Sequence, residues 1–108
     1  MGTLDGRSVV VTGSGRGLGR AYALAVAAEG ASVVVNDVDA AVADEAVRSI
    51  TEAGGTAVAE VVPVGTSEAA QALVDRAVSE FGRLDVLVNN AGILRDTTLW
   101  KIDRKSVV

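Results

Sequence analysis

The sequence predicts an α/β fold built on a partial doubly wound parallel sheet, with element order β-α-β-α-β-α-β. Three observations predict it. Short valine-rich runs recur without polar alternation, as expected of strands covered on both faces. Segments with helical apolar spacing separate them and are long enough to serve as crossovers. Glycines, and once Pro63, punctuate the junctions. Right-handed crossovers then give an expected strand order of 3-2-1-4.

The first strand is Ser8 to Val11, and a glycine cluster follows it. A helix is expected from Leu18 to Glu29, with Leu18, Tyr22, Ala25 and Val26 as its apolar side and Gly30 as its stop. Ser32 to Val35 is the second strand, ending at Asn36 and Asp37. The next helix, Ala40 to Ala53, has Asp39 as its N-cap and a face of Val42, Ala46, Val47 and Ile50. Ala57 to Val62 is the third strand, closed by Pro63. Ser67 can cap a helix from Glu68 to Phe81, with Ala70, Leu73, Val74, Ala77, Val78 and Phe81 facing inward. Leu84 to Val88 is the fourth strand, followed by Asn89, Asn90, Ala91 and Gly92; a further helix starts near Thr98.

Composition narrows the function. A chain of 108 residues holds one small domain, and 49% hydrophobic against 22% charged residues describes a globular one. The net charge of −4 argues against nucleic-acid binding, which depends on neutralising phosphates. The basic cluster Lys101, Arg104 and Lys105 reads as a solvated end. Cysteine and histidine are absent, which removes disulfides, thiolate nucleophiles, Cys/His zinc sites and an imidazole base. No metal site is expected. No signal-peptide pattern opens the chain and no apolar run would span a membrane, so a cytoplasmic location is expected.

The stretch after the first strand, TGSGRGLG, does not match the strict G-x-G-x-x-G spacing. It reads instead as T-G-x-x-x-G-x-G through Thr12, Gly13, Gly17 and Gly19. Gly13 permits a tight exit from the strand, Gly17 leaves room for a pyrophosphate, and Gly19 lets the helix approach the sheet. The helix start then offers N–H groups and partial positive charge to phosphate, with Arg16 available for a charged contact. Asp37 closes the second strand, where its carboxylate can accept hydrogen bonds from adenosine ribose hydroxyls. That carboxylate repels a 2′-phosphate and so favours NAD over NADP; Arg16 pulls the other way, and Asp37 is given the greater weight. No Gly-Lys-Ser/Thr follows the glycines, which argues against a P-loop.

Together, TGSGRGLG, Asp37 and the NNAG at 89–92 resemble the short-chain dehydrogenase/reductase family, over nearly the whole chain to about Trp100. GRGLGRAYALA, VVVND and NNAGILRD are similar in particular to the hydroxyacyl-CoA dehydrogenase units of multifunctional β-oxidation enzymes. The resemblance implies that residues 1–108 are an NAD(P)-binding Rossmann domain, the N-terminal part of a longer fold. It implies that Ser14, Arg16 and Leu18 lie along the phosphates and ribose, that Val64 flanks the adenine, and that Asn89, Ala91 and Gly92 line the cofactor. Pro63-Val64 stands where the family usually has Asp-Val, which removes one adenine contact.

The family's reaction moves a hydride between nicotinamide and a carbonyl or secondary alcohol. It uses a Tyr-x-x-x-Lys pair, a preceding Ser and a helical Asn. The only tyrosine here, Tyr22, is followed four residues on by Val26, and no lysine precedes Lys101. No catalytic residue is therefore assigned, and the chain alone is expected to be inactive. The expected partners are the dinucleotide and, in a complete protein, a small carbonyl or alcohol; the resemblance to the β-oxidation units implies a 3-hydroxyacyl or 3-oxoacyl form. An unpaired edge on the fourth strand would favour self-association. The alternative is a truncated protein that binds a dinucleotide or a partner without catalysis.

Overall fold

The structure is a computed structural model that describes residues 2–62, 67–88 and 106–107. Its elements run β1 (Ser8–Val11), α1 (Gly17–Ala28), β2 (Ser32–Asp37), α2 (Ala40–Glu52), β3 (Thr56–Val61), α3 (Ser67–Phe81), β4 (Val86–Val88) and β5 (Ser106–Val107). The strands form one parallel sheet in the order β3-β2-β1-β4-β5. The 3-2-1-4 core of that order is the one expected from the crossovers.

The valine runs explain why this sheet is stable. Successive side chains of a strand point to opposite faces. Val9, Val11, Val33 and Val35 accordingly bury against α1 and α2 with Ala23, Ala43, Ala46 and Ile50. Val10 and Val34 face the other way and pack with Ala69, Ala70, Leu73 and Ala77 of α3, plus Leu84 and Leu87. One strand thus serves two cores, which is why β1 and β2 carry no polar alternation.

Three expectations are corrected. In α1 only part of the expected side packs inward: Val26 is half-buried against the core, whereas Ala25 is exposed, Leu18 is 62% and Tyr22 41% exposed. The buried positions are Gly19 and Ala23, with Ala27 half-buried, an i, i+4, i+8 stripe of small side chains. A helix that starts at the strand exit must approach the sheet closely, and only small residues fit there. The second is Val78, expected on the inward face of α3 but 48% exposed: it lies about 100° round the helix from the buried Ala77, past the contact with the sheet. The third concerns the edge of β4. Val86 pairs with Ser106 and Leu87 with Val107, so β5 covers the edge expected to lie open. The helix expected from Thr98 lies outside the described residues up to position 105. Among the described residues no helix is long and apolar enough to cross a membrane.

The N-terminal ends of the strands are tied by Asp85. Its carboxylate accepts from the Ser8 N–H at 2.8 Å and from Arg83 at 2.6 Å, with Arg7 at 3.5 Å. Burial alone would raise the Asp85 pKa. The hydrogen bonds from Arg83 and Ser8 and the charges of Arg83 and Arg7 outweigh it and hold the carboxyl below its ordinary value. A depressed carboxyl stabilises the fold above its unfolded-state pKa, near 4, and that contribution fades as pH falls through the folded-state value. Asp85→Asn is therefore expected to cost on the order of 2 kcal/mol at pH 7. Urea unfolding should show the gap between the two proteins closing below about pH 4; a gap independent of pH would show that the charge does not matter.

Candidate dinucleotide site

The candidate site lies at the C-terminal ends of the central strands, where open α/β sheets bind ligands. The chain leaves β1 through Thr12, whose N–H donates to the Val88 carbonyl at 3.0 Å and so ties the exit to β4. Gly13 (φ +60°) and Gly17 (φ +62°) take left-handed conformations that glycine adopts without strain. Between them, Ser14 is fully buried. Its hydroxyl donates to the Val11 carbonyl at 2.6 Å and accepts from the Asn36 N–H at 2.8 Å. The Ser14 N–H donates to the Asn36 carbonyl at 2.6 Å. Ser14 thus folds the turn back onto β1 and β2. Its observed place is inside the turn's own network rather than on its outer surface.

Asn36 is the residue that sequence reasoning missed. It is fully buried beneath the turn. Its Oδ1 accepts from the Gly13 N–H at 3.0 Å, and its Nδ2 donates to the carbonyls of Glu60 (3.1 Å) and Val62 (3.5 Å). One side chain thereby joins the glycine turn, the end of β2 and the exit of β3. The only sequence signal was an asparagine at a strand end, which ordinarily reads as a turn former.

Asp37 follows with 8% exposure, its Oδ1 accepting from the Asp39 N–H at 3.1 Å. Its carboxylate lies against Gly15. A Cβ on Gly15 would sit 2.6 Å from Asp37 Oδ2 and 2.5 Å from Val42 Cγ1. Gly15, the one glycine of the cluster outside the T-G-x-x-x-G-x-G pattern, therefore has its own role: it lets β2's terminal carboxylate meet the turn. Sequence reasoning assigned that position nothing.

The starts of the two helices here differ. α2 is capped: Asp39 Oδ1 accepts from the N–H groups of Ala41 (3.0 Å) and Val42 (3.3 Å), as its position predicted. The N-cap position of α1 is Arg16, in extended backbone, and no side chain caps it. A Cβ on Gly17 would meet nothing within 4 Å, so the approach to that helix start is clear. Leu18 is exposed beside it and Gly19 buried against the sheet. A free helix start with clear backbone suits a pyrophosphate, and a carboxylate beside the turn suits a ribose diol. The residues present fit a dinucleotide.

The structure thus brings Gly13, Ser14, Arg16, Gly17, Leu18, Gly19 and Asp37 together. Val64, Asn89, Ala91 and Gly92 lie outside the described residues. Among the described residues, no group of three or more metal-ligating side chains gathers.

Comparison with known proteins agrees with this geometry. The profile of the short chain dehydrogenase family matches residues 7–107. The peroxisomal multifunctional enzyme type 2 of Mus musculus is 50% identical over 107 residues, which cover 91% of this chain and 14% of that protein. A short chain dehydrogenase from Mycobacterium avium superposes with a TM-score of 0.80 at 52% identity, covering 88% of this chain and 37% of that one. A 7α-hydroxysteroid dehydrogenase solved with NADH and 7-oxo glycochenodeoxycholic acid superposes at 0.77 with 41% identity, covering 80% and 34%. The chain thus spans well under half the length of these relatives. Since the profile match runs through nearly the whole sequence and the solved relatives share its sheet, the chain belongs to the short-chain dehydrogenase family, a family of oxidoreductases that bind nicotinamide dinucleotides.

Proposed function

We propose that this chain supplies the cofactor-binding half of an NAD-dependent oxidoreductase that moves a hydride between nicotinamide and a carbonyl or secondary alcohol. One observation carries the reading: the Asp37 carboxylate is set against Gly15 of the turn, beside the uncapped start of α1. In this reading the N–H groups at the start of α1 take the pyrophosphate and Asp37 accepts from the adenosine ribose. Gly13 and Ser14 hold the turn in shape, and Leu18 lies along the ribose. Val64 would flank the adenine; Asn89, Ala91 and Gly92 would line the cofactor beyond β4. A bound nicotinamide supplies the hydride acceptor or donor. The general acid/base and its lysine would come from residues other than these 108, because Tyr22 has Val26 rather than a lysine four positions on. A 3-hydroxyacyl or 3-oxoacyl substrate class is proposed from the likeness to the mouse multifunctional enzyme.

NADH fluorescence titration tests the reading. Saturable binding is expected, and tighter for NADH than for NADPH. Asp37→Ser should weaken NADH about tenfold, the loss of a charge-assisted hydrogen bond, and narrow the preference. A folded chain that binds neither nucleotide would overturn the proposal. The absence of a tyrosine–lysine pair favours a second reading, a binder without catalysis. The same titration would succeed there, and only turnover by the chain itself would exclude it.

A further inference from the structure

Beside the turn, an open groove of about 320 Å³ runs between the first turns of α1 and α2, lined by Gly15, Arg16, Arg20, Ala41, Val42 and Glu45. Two guanidinium groups in a groove next to the ribose carboxylate would ordinarily mark a phosphate site. Here both are already held. Arg20 donates to Glu45 Oε1 at 2.9 Å and to Ser49 Oγ at 2.7 Å. Arg16 pairs with Asp39 Oδ2 at 3.8 Å. Both counter-ions come from α2 or its cap.

Asp39 is well suited to hold an arginine. Its Oδ1 is fixed by the capping bonds to Ala41 and Val42, which leaves Oδ2 oriented toward Arg16. A carboxylate immobilised by capping loses little further freedom when it pairs. Arg16 remains largely exposed, so the pair is weak enough for a competing anion to contest.

We propose that Asp39 is a specificity-determining residue. It engages the Arg16 guanidinium and so withholds from an incoming 2′-phosphate the one cation in the groove with freedom to reach it. Asp37 repels that phosphate directly; Asp39 removes its alternative partner. This inference rests on the dinucleotide reading of the site and deepens it.

Asn is as good an N-cap as Asp, so Asp39→Asn removes the charge and keeps the helix start; Asp39→Ser serves the same purpose if the first variant folds poorly. Titrating NADH and NADPH against the full chain, D39N is expected to shift the selectivity ratio about three- to fivefold toward NADPH. The shift should vanish in the Arg16→Gln background, as a double-mutant cycle would reveal. Unchanged selectivity in D39N, with NADH still bound, would overturn the role of Asp39 and leave the dinucleotide reading standing. A shift that persists without Arg16 would also overturn it, since Asp39 would then act by direct repulsion. Binding of neither nucleotide by the unaltered chain would remove both readings together.

Discussion

Asn36→Ala is expected to destabilise the chain by about 2–4 kcal/mol and to weaken NADH binding at least tenfold in the molecules that stay folded. The variant loses the acceptor used by the Gly13 N–H and both donors to the Glu60 and Val62 carbonyls; Asn36 is fully buried and these partners are half-buried. Removing one partner of a buried hydrogen bond strands the other, which costs more than the bond contributes net. The functional effect has a separate origin. Gly13 begins the turn that presents the start of α1, and Val62 leads into the segment carrying Val64. Asn36 holds both, so its loss loosens the glycine turn and the exit of β3 together. Urea unfolding reads the first effect, and NADH titration well below the unfolding transition reads the second. Unaltered affinity in a folded but weakened variant would confine Asn36 to stability.

Gly15→Ala is expected to lower NADH affinity more than tenfold, with a stability loss of about 1–3 kcal/mol. The added methyl would lie 2.6 Å from Asp37 Oδ2, 3.0 Å from Asp37 Cβ and 2.5 Å from Val42 Cγ1. The contacts at 2.5 and 2.6 Å are too close to persist, so the end of one or both of these side chains must move. Val42 is half-buried on α2 and has packing to lose; Asp37 has its bond to the Asp39 N–H. Adding Val42→Ala relieves one clash and leaves the other. The double variant is expected to recover much of the stability and little of the affinity, which thermal melts and titration would separate. Recovery of both would place the fault in packing and release Asp37 from the ribose role.

These expectations depend on tertiary neighbours, which marks where sequence reading stopped. The sheet was legible because three valines in a row at Val9–Val11 and Val33–Val35 have few uses outside a strand covered on both sides. Helix ends were legible where a side chain acts locally: Asp39 caps α2 through groups two and three residues away. The inward side of α1 was not legible. Leu18 and Tyr22 offer larger side chains than Gly19 and Ala23, yet close approach to the sheet selects for small size. Asp37 was singled out because its place at a strand end, some 20 residues past a glycine turn, carries a chemical meaning, and the structure sets its carboxylate against Gly15. Asn36 and Gly15 were not, because their roles arise only when the turn folds back over β2. Their partners stand 23 residues apart in sequence for Gly13 and Asn36.

The clamp around Asp85 lies at the opposite end of the strands from the glycine turn, with the length of β1 between them. At about 3.3 Å per residue that is roughly 13 Å, beyond the range over which substitutions usually interact. The pH dependence set by the Asp85 clamp is therefore separable from the shape of the glycine turn. A lineage moving to a more acidic habitat can rework Arg7, Arg83 and Asp85 at the floor of the sheet while the turn at its mouth is left as it was.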